Sequence, residues 1–369
     1  MSSAPKLDPG ATITVGVHDG RMHADEVFAT TALKFLVKDV LIVRTRDEEK
    51  LKSCDFRIDV GGRYDPTTCD FDHHMASFNT RHKAPRPKVN HLTGQKREWT
   101  KGPLRSGFGL IWLHYGKDVV DKVLSLVYPK EFIQSLRPID RIDIWSSLDD
   151  GLVSAIDAND NGEGKEFDME LSPFRTSDAS KYIADLNPTT TATINADYER
   201  IKELETEAFL AGMSFAKTVL MNNITSQAEM IYYRARFMEL LLHMDPDDHI
   251  LVMEKYIPWA GAYARAGNQT NGVDMVVYPT NNGSWMCQSP KYYVKRDQFT
   301  CSATMSDGSR RELKHPAPLE IRGLRDEELV KKTGIPDVTF VHTSGHLGGA
   351  KTKEAAIQLA KYFIAHEYR

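Results

Sequence analysis

Imidazole and carboxylate side chains gather in two short segments of this chain. Together they offer the donors of a divalent-cation site. The first segment is Val17-His18-Asp19-Gly20-Arg21-Met22-His23-Ala24-Asp25-Glu26, and the second is Asp72-His73-His74. Between them lies Asp59, followed by Val60-Gly61-Gly62. A single histidine is ordinarily a core or surface residue, and this chain has thirteen. Here, however, His18, His23, Asp25, Asp59, Asp72, His73 and His74 all fall near the ends of apolar runs that read as strands. Several ionised carboxylates do not share a cleft without cations to offset their repulsion. The donors exceed what one tetrahedral zinc ion needs. A bridging carboxylate such as Asp59 would let two ions share the site, and ions about 3.5–4 Å apart are the recurring arrangement for hydrolysing phosphate esters. Mixed imidazole and carboxylate ligation suits Mn²⁺ better than Mg²⁺, though Mg²⁺ is possible.

The elements that must hold these donors are legible around them. Residues 13–17, 40–43 and 56–60 read as short buried strands, and 24–37 as a helix between the first two. Strands alternating with helices predict a parallel sheet. In such sheets ligands collect beyond the carboxyl ends of the strands. Residues 79–106 read as a long polar loop, 107–145 as helical, and 158–166 as a polar break. Ile201, Leu204, Ala208, Ala211, Phe215 and Val219 form one helical stripe, which Asn222-Asn223 can end. Ser226 with Glu229 reads as a capping box opening another helix. Strands are predicted at 273–278, 285–288 and 338–341, and a final helix at 352–366. A boundary near 190 divides the chain into residues 10–190 and 191–369.

The 369 residues suffice for two domains, and 41% apolar composition supports a sizeable core. Lys+Arg of 47 against Asp+Glu of 51 excludes a wholly basic nucleic-acid binder, so any such contact must be local. None of the 4 cysteines (Cys54, Cys69, Cys287, Cys301) forms a C-x-x-C pair, which points to free thiols in a reducing, intracellular setting. Mitochondrion, nucleus and cytoplasm are all compatible with that. No apolar run is long enough to span a membrane, and residues 1–17 read neither as a signal peptide nor as a good presequence.

Asp72-His73-His74 resembles the signature of the DHH phosphoesterase superfamily. The finer pattern is similar to the melanocyte-proliferating-gene (MYG) exonuclease family. The matching stretches are residues 18–26, 59–65, 71–74, 139–143, 323–327 and 334–352. The resemblance implies an α/β fold with an N-terminal parallel-sheet DHH-type domain carrying the metals, a helical middle and a smaller α/β C-terminal domain that grips substrate. It implies His18, His23, Asp25, Asp59 and His73 as metal ligands, with Asp59 bridging. It further implies His74 against a ligand or the scissile phosphate, and Asp72 orienting an imidazole. Asp140 is taken for the fourth motif, with Asp143, one helical turn on, as its rival. Two positions depart from the pattern. His23 stands where the wider superfamily has aspartate, although the closer family also uses histidine, and His346 stands where an aromatic residue is expected.

Gly345-His346-Leu347-Gly348-Gly349-Ala350-Lys351-Thr352 is one residue away from a phosphate-binding P-loop. Too little chain follows for a nucleotide-binding sheet, but glycines and a lysine at a helix N-terminus can still hold a phosphate. Gly345, His346, Gly348, Gly349 and Lys351 are therefore candidate substrate contacts. The loop at 81–105 carries Arg81, His82, Lys83, Arg86, Lys88, Lys96, Arg97, Lys101 and Arg105 around His91 and Trp99. Such a run is either a solvated face or a track for a single strand's backbone, and Arg105 is the candidate contact. These features predict a metal-dependent phosphodiesterase acting on RNA or a short oligonucleotide. The resemblance implies a 3′–5′ exoribonuclease releasing 5′-nucleotides. A small-molecule phosphohydrolase and a non-catalytic regulator that keeps the fold are the alternatives. The sequence leaves the oligomeric state open.

Overall fold

The computed structural model describes residues 3–85, 88–89, 96–164, 178–245, 248–266, 272–291, 303–304, 310–311 and 313–366. Arg86 and His91 of the basic loop, and Cys301, lie outside the described residues. Packing divides the chain into two compact units, the first ending at Ala228 and the second running from Glu229 onward.

The first unit is built on a sheet of five strands, β1 (Thr12–Val17), β2 (Asp39–Arg44), β3 (Phe56–Ile58), β4 (Tyr64–Asp65) and β5 (Asp70–Phe71), in the order β2-β1-β3-β5-β4. β1 pairs in parallel with β2 and β3, and β3 with β5, while only β4 runs antiparallel. Because β1, β3 and β5 are neighbours running one way, their carboxyl ends lie side by side. The residues that follow those ends are His18, Asp59 and Asp72.

Two helices cover the sheet, α1 (Ala24–Leu36) and, after the short α2 (Glu48–Lys52), α3 (Gly107–Val127). Val15, Val17, Val27, Phe28, Ile58, Phe71, Phe108 and Trp112 are fully buried between these layers. Each such side chain contributes about 1.5–3 kcal/mol by leaving water. The helical region predicted over 107–145 is broken at Pro129, and a new helix, α4 (Pro138–Leu148), starts with proline in its first turn. Proline lacks the amide that would continue a helix but is tolerated at its start. One π turn (Asp149–Val153) then leads into α5 (Ser154–Asp160), so the predicted polar break begins inside a helix.

After α6 (Ala179–Asp185) comes α7 (Tyr198–Leu242), a single helix of 45 residues. The stop predicted at Asn222-Asn223 and the restart at Ser226 do not occur. Asn223 Nδ2 donates to the Val219 carbonyl at 2.8 Å and Thr225 Oγ1 to that of Met221 at 2.9 Å, so these side chains are satisfied within the helix. Ala216, Leu220, Ile224 and Ala228 are all fully buried, which carries the apolar stripe straight through. Packing therefore divides the chain inside α7 rather than near 190.

The second unit is also α/β. Its five-stranded sheet holds β6 (Ile250–Val252), β7 (Met275–Pro279), β8 (Trp285–Gln288), β9 (Val338–Val341) and β10 (Leu347–Ala350), ordered β9-β10-β8-β7-β6. Only β6 and β7 pair in parallel. The helices are α8 (Ala260–Ala266), α9 (Asp326–Thr333) and α10 (Lys353–Ala365), the last burying Leu359 and Phe363 with Met275, Val277, Cys287 and Ala350.

Candidate metal centre

Each donor is placed by the end of a regular element. His18 directly follows β1, and its loop is braced from three sides. Arg44 of β2 donates to the Gly20 carbonyl at 2.6 Å, and Glu205 of α7 accepts from the Gly20 amide at 3.3 Å. Asn187 clasps both backbone groups of Met22, at 2.8 and 3.0 Å. His23 stands just before α1, and Glu26 caps that helix by accepting from the His23 amide at 2.8 Å. Asp25, in the first turn, is fully buried, and its Oδ2 accepts from the Gly107 amide at 3.2 Å. A Cβ at Gly107 would come within 2.9 Å of Ile58 Cγ2, so only glycine lets α3 approach this closely.

Asp59 takes a left-handed backbone, φ +57, directly after β3. Aspartate tolerates that region better than most residues. The turn lifts its carboxylate between two imidazoles. His73 Nε2 is 3.1 Å from Oδ1, and His18 Nε2 is 3.3 Å from Oδ2. Asp72 secures the turn that follows. One of its oxygens accepts from the amides of His73 and His74 and meets His74 Nδ1 at 2.8 Å. The other accepts from the Gly62 amide. His74 itself is exposed, its Nδ1 3.5 Å from Asp59.

One donor comes from a residue that the sequence reading passed over. Asp160, the last residue of α5, places Oδ2 3.1 Å from His73 Nε2 and Oδ1 3.8 Å from His23 Nδ1. Glu26 was quoted in the first segment without a role, yet it is fully buried with Oε1 3.5 Å from His18 Nε2. Among the described residues three overlapping groups result: His18, His23, Glu26 and Asp59; Asp59, His73 and His74; and His23, Asp25 and Asp160. In each, the ligand atoms lie within 4.8 Å of one another, and Asp59 is common to the first two.

The donor set fits a divalent cation on two counts. Imidazole nitrogens and carboxylate oxygens are the ligands that Mn²⁺-class ions take. His18 Nε2, Asp25 Oδ1 and Glu26 Oε2 are also buried without a hydrogen-bond partner, a condition that costs about 1–3 kcal/mol per atom unless something else satisfies it.

Protons take part of that role in the metal-free protein. Burial opposes charge on His18, but the carboxylates of Asp59 and Glu26 hold its imidazole up at about 9. Burial likewise opposes His73, and Asp160 and Asp59 raise it to about 10. Burial, and then the Asp59 charge, push Glu26 up to about 7, and burial with Asp59 and Asp160 pushes Asp25 well above the carboxylate range. Burial alone would raise Asp59, yet the His18 and His73 imidazoles beside it hold it below its usual value.

All the raised groups favour the folded state while protonated. Their contribution is complete below their unfolded values and is lost as pH rises through the folded ones. The metal-free protein should therefore melt at progressively lower temperature between pH 6 and 10, and added Mn²⁺ should raise the melting temperature more at pH 8 than at pH 6. Melting curves in chelator and in Mn²⁺ check this. A metal-free melting temperature that is flat or rising over that range contradicts it.

Several expected site residues lie elsewhere. Asp140 is buried at the start of α4, where it accepts from the Arg137 amide at 2.8 Å and pairs with the Arg137 guanidinium at 2.7 Å. Asp143 is exposed on α4. Among the described residues neither belongs to the donor groups, whereas Asp160 does. Arg105 is buried and holds Asp149 through both terminal nitrogens, at 2.8 and 2.9 Å, so it is no free anion receptor. Its partner carboxyl sits at about 2 because, against burial, His82 and Arg105 stabilise the anion. His82 is also buried, 2.7 Å from Asp157, and Arg81 pairs with Glu163 at 3.1 Å. The basic run is thus partly turned inward, with Lys83 and Lys101 exposed.

The glycine-rich segment forms no phosphate loop. Gly348 and Gly349 lie within β10, where any Cβ would strike Leu359 and Phe340. They are small so that the sheet can pack closely. Gly345, φ +72, makes the preceding turn, and Thr352 caps α10. Lys351 is exposed, and His346 Nδ1 meets Ser344 Oγ at 2.6 Å while its ring packs edge-on to His342.

Comparison with known proteins places the chain in a family. The model of the MYG1_exonuc family, described as an uncharacterised protein family (UPF0160), matches residues 14–364. The chain is 30% identical to a MYG1 exonuclease of Homo sapiens over 363 residues, covering 95% of this chain and 85% of that protein. It is 30% identical to a MYG1 exonuclease of Bos taurus over 373 residues, 99% of this chain and 88% of the other. A MYG1 protein of Saccharomyces cerevisiae is 29% identical over 372 residues, 98% of each chain. The matched stretch holds every donor from His18 to Asp160, and the chain belongs to the MYG1 exonuclease family.

Proposed function

We propose that this chain is a divalent-metal-dependent phosphodiesterase, a 3′–5′ exoribonuclease that releases 5′-nucleotides, with two Mn²⁺ ions as its preferred cofactor. The observation that carries the reading is Asp59, one carboxylate 3.3 Å from His18 and 3.1 Å from His73 at adjoining strand ends. The exonuclease names of the mammalian relatives support the substrate class. His18, His23, Asp25, Asp59, His73 and Asp160 would hold the ions, with Glu26 beside His18. When bound, such ions supply charge neutralisation for the phosphate and a lowered pKa for water.

The residues themselves do the rest. Asp59 fixes the spacing of the two halves of the site, and Asp72 holds His74 by its Nδ1. The exposed His74 ring is thereby oriented to meet a phosphate oxygen or the leaving oxygen. The inward turn of Arg81, His82 and Arg105 leaves a shorter basic track than the sequence suggests and favours short oligonucleotides over long strands. The test is digestion of 5′-labelled RNAs of graded length with Mn²⁺. Stepwise shortening from the 3′ end, with 5′-nucleotides as product, is the expected result. No cleavage of any phosphodiester in Mn²⁺ overturns the reading.

A further inference from the structure

Asn161 occupies the residue after α5 and reaches three partners. Its Nδ2 donates to the carbonyls of Leu104, at 3.1 Å, and Asp157, at 2.9 Å. Its Oδ1 lies 3.1 Å from His73 Nδ1. The two carbonyls can only accept, so the atom facing them must be the amide nitrogen. The amide oxygen therefore faces His73, and an amide oxygen can only accept. The proton of a neutral His73 ring must then sit on Nδ1, which leaves Nε2 as a bare lone pair. That Nε2 lies 3.1 Å from both Asp59 Oδ1 and Asp160 Oδ2.

We propose that Asn161 is a positioning residue that locks His73 in the tautomer able to ligate a cation through Nε2. Both of its own anchors are backbone groups: the Asp157 carbonyl in α5 and the Leu104 carbonyl, whose residue is held in turn by its amide donating to Glu163 at 2.7 Å. A side chain fixed at both donors cannot rotate to offer His73 an N–H instead. The adjacent residues Asp160 and Asn161 thus act on one imidazole from opposite sides, one on each ring nitrogen. The inference rests on the metal-site reading above.

Two substitutions separate this role from a merely structural one. Asn161→Leu removes the acceptor and both donors, whereas Asn161→Asp keeps the acceptor and removes the donors. Mn²⁺ binding to the whole protein is measured by calorimetric titration, beside the melting temperature. Asn161→Leu should weaken Mn²⁺ binding roughly 10–100-fold while Asn161→Asp stays within about threefold of the wild type, the range over which groups orienting a ligand imidazole act. The melting temperatures of the two variants should fall alike. Equal loss of Mn²⁺ affinity in both, or loss in neither, overturns the proposal. If Asn161→Leu does not fold, Asn161→Ala serves in the same comparison. A wild type that takes up no stoichiometric Mn²⁺ overturns the metal site itself, which is a distinct outcome.

Discussion

Replacing Asp59 with asparagine should abolish Mn²⁺-dependent hydrolysis and leave the protein folded. Asparagine tolerates the left-handed backbone that Asp59 adopts, so the turn after β3 survives. What disappears is the single negative charge between His18 and His73. Without it the two halves of the donor set have no common anion. Loss should be on the order of 10²–10³-fold at the least, the scale seen when one charge-stabilising group is removed from an active site. Rate against Mn²⁺ concentration, with circular dichroism as the control for folding, provides the measurement. Retention of more than a tenth of the wild-type rate in the folded variant would exclude Asp59 from the centre.

The second large effect separates Asp160, which the sequence reading passed over, from Asp140, which it took for the fourth motif. Asp160→Asn should lower the rate by about 10²-fold or more, because its carboxylate meets His73 and faces His23. Asp140→Asn should leave the rate within a few-fold. It should cost on the order of 1 kcal/mol in stability instead, since it weakens the cap on α4. Urea unfolding and initial rates on both variants decide the matter. The reverse pattern, with Asp140→Asn inactive and Asp160→Asn active, would restore the original assignment.

The contrast shows what sequence carries and where it fails. His18 and Asp59 were legible because each stands at the end of a predicted strand, and charged residues there have few structural reasons to exist; Asp72-His73-His74 was legible through its resemblance to a known signature. A parallel sheet was legible from strands alternating with a helix, but the order that puts those ends together, with β5 beside β3, was not. Asp160 was not legible, because Ala-Asn-Asp-Asn-Gly has the composition of a turn and nothing local says that a helix ends upon His73. Glycines misled for a related reason. Gly348 and Gly349 resemble a phosphate loop in type and spacing, but their smallness answers to Leu359 and Phe340 across the sheet face. Arg105 resembled a surface cation until its partner Asp149, remote in sequence, came into view. For Asp160 and Arg105 the missing information was a neighbour remote in sequence, which no short window along the chain contains.

The donors are drawn from a span that opens at His18 and closes at Asp160, and the strands that seat them adjoin only once the sheet has formed. A chain still emerging from the ribosome therefore presents scattered, weak ligands rather than a cage. Ion capture at such a site would wait on the finished fold of the first unit, so the shape of that fold, and not the first cation a nascent segment encounters, would select the metal.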